Sequence, residues 1–176
     1  MTSGKWKGVS ILLMFIFIAA AQAYDGTVNI SGLIQDNTCE LAPDSQNNNI
    51  NMGVVVAAQF SRLGDFSQAK KFTIYLENCG PAASEATITF TGSVSLENDK
   101  FFSLDGIGED VAKGLALGIF DNYGNIISPG QSSRGYAIKP NQDTVSLDFS
   151  ARYVAVDETV TPGSADTTVT FIINYA

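Results

Sequence analysis

The chain has 176 residues, enough for one domain of ordinary size, and 45% of them are apolar, so a core of real extent can be buried. It carries 10 Lys and Arg against 18 Asp and Glu, a formal charge of −8, which argues against nucleic acid or an anionic membrane as a partner. There is no histidine, which removes the commonest general base and the commonest metal ligand together.

Residues 1–23 read as a secretory signal peptide and not as part of the fold. Lys5 and Lys7 give a positive start, Val9 to Ala20 is a short apolar run, and Ala21-Gln22-Ala23 is a small-x-small cleavage site. A membrane anchor is the alternative, but the run falls short of the roughly 18 apolar residues that a span needs. Cleavage after Ala23 removes two lysines and no acid, so the mature charge is 8 − 18 = −10.

TVNISGLI, residues 27–34, alternates like a strand. Val28, Ile30 and Ile34 take every second place, and Gly32 stands where a fourth large side chain belongs. Pattern alone favours an ordinary strand paired within its own sheet. Asn29-Ile30-Ser31 fits the glycosylation triplet, a pattern common by chance. Cys39 and Cys79 are the only cysteines, and behind an export signal they read as a disulfide. The loop closed is about 40 residues, worth roughly 4 kcal/mol on a chain-entropy estimate. Two buried free thiols are the alternative.

A polar loop over 42–49 leads into Ile50 to Phe60, apolar and β-rich around Val54-Val55-Val56. KFTIYLENC, residues 71–79, sets Phe72, Ile74 and Leu76 on one face and ends sharply at Gly80-Pro81. ATITFTGSVSL, residues 86–96, alternates through Ile88, Phe90 and Val94. Residues 97–114 read as a loop with a short FFSL segment. GLALGIFD, residues 114–121, runs into a turn at Asn122 to Asn125. TVSLDFSARYVAV, residues 144–156, is the longest strand, with Val145, Leu147, Phe149, Ala151 and Tyr153 in phase. Pro162-Gly163 is a turn, and the closing TTVTFIINYA sets Val169, Phe171, Ile173 and Tyr175 on one face. Short strands with turn signals between them give an all-β fold, a single immunoglobulin-like sandwich.

Little in this sequence points to catalysis. Glu109-Asp110 and Asp157-Glu158 are adjacent acids beside loops, and adjacent strand residues face opposite sides, so they read as solvated surface. DGIGED, residues 105–110, resembles an acidic calcium loop but lacks the EF-hand spacing. A nucleophilic serine has no histidine to activate it. The expectation is no enzyme, no cofactor, no metal and no small-molecule substrate.

Taken in order, these segments resemble the pilin subunits of chaperone–usher fimbriae, most closely the type 1 fimbrial group. The likeness rests on the signal peptide, TVNISGLI with its glycine, Cys39 with Cys79 in KFTIYLENCG, GLALGIFD before a turn, SLDFSARYVA, and TFIINYA with its penultimate tyrosine. Gly163, fourteenth from the C-terminus, falls where the family has a glycine ahead of its last strand.

The resemblance implies an immunoglobulin-like sandwich lacking its final strand and completed by donor-strand exchange. Residues 24–34 would be the donor extension and 35–176 the pilin domain. Val28, Ile30 and Ile34 would fill pockets in the next subunit's groove, and Gly32 would pass where that groove is shallow. Val169, Phe171, Ile173 and Tyr175 would border this chain's own groove and pair with a periplasmic chaperone, whose basic cleft would hold the carboxylate on Ala176. An outer-membrane usher and neighbouring pilin subunits complete the implied partners. The chain would pass through the periplasm to a fimbrium on the cell surface and contribute to cell adhesion. A carbohydrate-binding adhesin subunit is the alternative, but a tip adhesin normally adds a lectin domain for which this chain has no room. The short extension before Val28 leans weakly toward a minor adaptor.

Overall fold

Period-2 alternation sets most of the strands. A computed structural model describes residues 30–33 and 38–176 of the chain. They belong to two compact units, Met1–Leu33 and Ile34–Ala176. In the first unit Ile30 and Leu33 are exposed, and among the described residues no atom lies within 4 Å of where a Cβ on Gly32 would sit. The signal segment 1–23, the extension residues 24–29 with Val28, and Ile34 lie outside the described residues.

In the second unit the described residues form seven strands: β1 (Glu40–Leu41), β2 (Lys70–Glu77), β3 (Glu85–Gly92), β4 (Leu115–Asp121), β5 (Tyr136–Ala137), β6 (Thr144–Ala155) and β7 (Val169–Tyr175). One sheet runs β1-β2-β6-β4 and the other β5-β3-β7, with every neighbouring pair antiparallel. Along β6, Val145, Leu147, Phe149 and Ala151 are buried while Thr144, Ser146 and Asp148 are exposed. The same alternation buries Ile74 and Leu76 of β2 and Ala86, Ile88 and Phe90 of β3. These faces meet between the sheets as one core. Its centre is aromatic: Phe90 stands edge-on to Phe149 at 5.2 Å, and Phe72 and Phe171 lie 6.4 and 6.2 Å from Phe90.

Alternation fails in β4, where Ala116 to Asp121 are all buried. Leu117 and Ile119 face the core. Ala116 and Phe120 join Phe101, Val154 and Val156 in a second apolar cluster. Phe66 stands edge-on to Phe120 at 5.7 Å. The turn after β4 is held by Asp121, whose carboxylate accepts the backbone N–H groups of Tyr123 and Asn125 and the Asn125 side-chain amide. Burial pushes this carboxyl up, but those three bonds and the Arg134 charge outweigh it and hold Asp121 below the usual carboxylate range.

Three segments differ from expectation. Ile50 to Phe60 forms no strand; it is irregular apart from a 3₁₀ turn at Ala57–Gln59. The apolar content is there, but no neighbouring strand pairs with it. The strand begun at Glu85 stops at Gly92, and Val94 makes only an isolated bridge to Phe102. Phe102 is fully buried and also bridges Leu117, so the loop's FFSL segment is core. The two-residue strands β1 and β5 went unforeseen because two residues carry no period.

Gly163 has a physical reason to be glycine. A Cβ there would lie 2.3 Å from the Ala112 nitrogen and 2.4 Å from the Val111 carbonyl carbon, both backbone. Ser164 exchanges hydrogen bonds with Asp110 and Ala112 at 2.7 and 2.9 Å, which holds the two segments at that approach. Gly163→Ala is therefore expected to lower stability by about 2 kcal/mol or more, since overpacking typically costs about 1–3 kcal/mol and backbone cannot rotate away. Urea unfolding measures it; an unchanged midpoint would contradict the close packing.

Candidate functional site

Among the described residues β7 is paired on one edge only, with β3. Its register with β3 sets Phe171 opposite Phe90, Ile173 opposite Ile88 and Tyr175 opposite Ala86. The β3 members of these pairs are buried, whereas Val169, Phe171, Ile173 and Tyr175 are only half-buried. Among the described residues no strand lies along the other edge of β7.

A groove of about 1410 Å³ opens there. Its floor is Phe72, Ile74, Leu117, Ile119 and Tyr153, side chains of the main core. One lip is β7, through Val169 and Phe171. The other is the irregular apolar segment that includes Met52, Val54 and Val55. Among the described residues, 47–55 make no backbone–backbone hydrogen bond. Val54 is 99% exposed and Val56 58%. Residues 160–168 form the rest of the wall.

Two lips that no strand pairs with among the described residues, with an apolar floor between them, are what a missing strand leaves behind. β7 has seven residues and spans about 23 Å at strand rise. An added strand of that length would pair its backbone with the β7 edge and send every second side chain into the groove. The chemistry offered is shape and hydrogen bonding. Among the described residues, Asp166 is the one charged residue of the lining. Among the described residues no group of three or more His, Cys, Asp or Glu is placed to hold a metal.

The sequence-derived residues fall in several places. Cys39 is bonded to Cys79. The Tyr175 hydroxyl donates to the Cys39 carbonyl at 3.0 Å, so the disulfide anchors the end of β7. Ala176 is held by Ser84, whose N–H and hydroxyl donate to its oxygen at 3.1 and 2.7 Å. Val169, Phe171 and Gly163 line the groove, and Ile173 and Tyr175 continue the same face of β7 beyond its lining. Ile30 and Gly32 belong to the first unit, and Val28 and Ile34 lie outside the described residues. Sequence reasoning missed the opposite lip and Tyr153 as a site residue. The one signal for the lip was its run of three valines without the polar alternation of a half-exposed strand.

The family described as Fimbrial protein matches residues 27–176. The chain belongs to it. The Escherichia coli fimbrial-like protein YcbV is 36% identical over 153 residues, 87% of this chain and 87% of that one. A type-1 fimbrial protein subunit of Serratia marcescens is 30% identical over 179 residues, 95% of this chain and 96% of that one. Among solved structures, a Burkholderia pseudomallei antigen and type I fimbria protein is 33% identical with a TM-score of 0.61, over 80% of this chain and 90% of that one. A chaperone–usher pilus subunit shares the fold, with a TM-score of 0.64 at 20% identity over 86% of this chain and 95% of that one. The protein is thus a fimbrial subunit that assembles with other pilin subunits into a surface fimbrium.

A half-buried groove residue should respond to what fills the groove. Phe171→Ala is expected to destabilise the empty domain by less than the about 3–5 kcal/mol of a fully buried phenylalanine. The cost should rise when a strand peptide covers the ring. Urea unfolding of both variants, with and without bound peptide, compares the two; an equal cost in both forms would mean that the strand does not pack on Phe171.

Proposed function

We propose that this subunit polymerises by strand donation, with no catalysis. Its groove beside β7 accepts a strand from another molecule, and residues 24–34 are the strand it gives to the next subunit. The observation that carries the reading is the groove itself: among the described residues no strand lies along the outer edge of β7, 47–55 make no backbone–backbone bond, and the floor between them is apolar. An exposed edge of this kind is an aggregation hazard, so a partner has to cover it until assembly. In this reading a periplasmic chaperone does so first, after residues 1–23 have directed export, and an outer-membrane usher oversees its replacement by the neighbour's extension.

The donor pattern fits the acceptor. TVNISGLI supplies eight residues to an edge of seven, and in an extended strand Val28, Ile30, Gly32 and Ile34 would share one face. Among the described residues nothing lies near a Cβ on Gly32, so nothing described in this chain requires a glycine there. The requirement is assigned to the acceptor groove of the neighbour, where one inward position has to be shallow.

Peptide insertion tests the reading. A peptide of residues 24–36 should insert into a chaperone-bound acceptor subunit of the same fibre, and its Gly32→Leu version should insert at least tenfold more slowly, because overpacking of about 1–3 kcal/mol falls on the seated strand. The full chain carrying Gly32→Leu should still fold and still accept a wild-type strand. Equal insertion rates for the two peptides would remove Gly32 from the assembly mechanism.

A further inference from the structure

We propose that the Tyr153 hydroxyl is a latch that holds residues 160–168 down as the end wall of the groove and so fixes how far an accepted strand can seat. This rests on the groove being a strand acceptor, and it names a positioning residue for that site.

Residues 160–168 cross from β6 to β7 and line the groove. Their hydrogen bonds run sideways, to the segment 103–113. Lys113 and Thr161 exchange backbone bonds at 3.1 and 3.2 Å, Ala112 donates to Ser164 at 2.9 Å, and Asp105 donates to Asp166 at 2.7 Å. Gly163 packs against the backbone of the same segment. None of these contacts ties the strap to the sheet that forms the groove floor. Among the described residues, one hydrogen bond does: the Tyr153 hydroxyl of β6 donates to the Ala165 carbonyl.

The latch is suited to that task. The Tyr153 ring is 7% exposed and sits in the main core, so the hydroxyl is presented from a fixed position. Burial pushes the phenol up, and the Asp166 carboxylate adds to the effect, so the group stays protonated and remains a donor. Val160 and Ala165 of the strap pack on the core but are only partly buried. Without the hydroxyl, the strap keeps its sideways bonds and loses its height above the floor. The accepted strand then loses one wall at one end, and nothing along the rest of its length.

That locality separates positioning from plain stability. The probes are the peptide of residues 24–36 and versions shortened one residue at a time from either end. Each is bound to the full chain and to its Tyr153→Phe variant, and dissociation is followed by fluorescence. Tyr153→Phe keeps the ring and is expected to keep the fold, read by circular dichroism. The full-length peptide should leave the variant about fivefold faster, the scale of one neutral hydrogen bond. Peptides too short to reach the end wall should leave both proteins at the same rate. A uniform change across every peptide would make Tyr153 a stability residue only, and no change would abolish the latch. Absence of any binding to the wild-type chain would mean that this groove does not accept this strand, and would overturn the latch. A second measurement uses the wild-type chain alone: amide exchange of residues 160–168 should slow with the full-length peptide and not with the shortened ones. Equal protection by both sets would overturn the proposal even if the variant failed to fold.

Discussion

β7 is hydrogen-bonded along one edge, and whether the sandwich core closes depends on what lies along the other. Its partner β3 is buried at Ala86, Ile88 and Phe90, yet the facing residues Tyr175, Ile173 and Phe171 still meet solvent. Completing the burial of a large apolar side chain is worth up to about 1.5–3 kcal/mol from full exposure, so finishing several half-buried ones contributes a few kcal/mol. In the proposed reading, an added strand would also pair backbone groups on both lips. The same surface that is proposed to drive assembly leaves the isolated subunit with an edge open to wrong partners.

The rest of the second unit holds that edge in place. At its C-terminal end, Tyr175 is bonded to the Cys39 carbonyl beside the disulfide with Cys79, and Ala176 to Ser84. At its N-terminal end, the strap before β7 is drawn against residues 110–112 by Gly163. Beneath it, Phe90 stands edge-on to both Phe72 and Phe149, whose own rings are tilted at 32°, and the three pack under the floor. A groove that is rigid at both ends and underneath has little ordering left to lose when a strand arrives, which favours tight and register-specific binding.

Sequence alternation made the long strands legible. β2, β6 and β7 begin and end within two residues of their patterns, because one buried face imposes period 2 on seven or more residues. The groove was legible only in halves. Val169, Phe171 and Ile173 announced one lip by their alternation, but Ile50 to Phe60, apolar and β-rich, forms no strand, and among the described residues none pairs with it. Phe102 and the second apolar cluster were hidden for a different reason: their burial depends on loops folding over β4, and no local period encodes that. The Tyr153 hydroxyl bond joins residues twelve apart across a loop, a contact fixed by tertiary packing alone.

Amide hydrogen exchange on the subunit before and after incorporation into fibres tests the central claim most directly. The account predicts that protection rises together at residues 169–175 and across the facing lip at 50–56, while β6, already paired with β2 on one side and β4 on the other, changes little. Protection that stayed low on both lips in the assembled fibre would place the subunit contact elsewhere and contradict strand addition at β7.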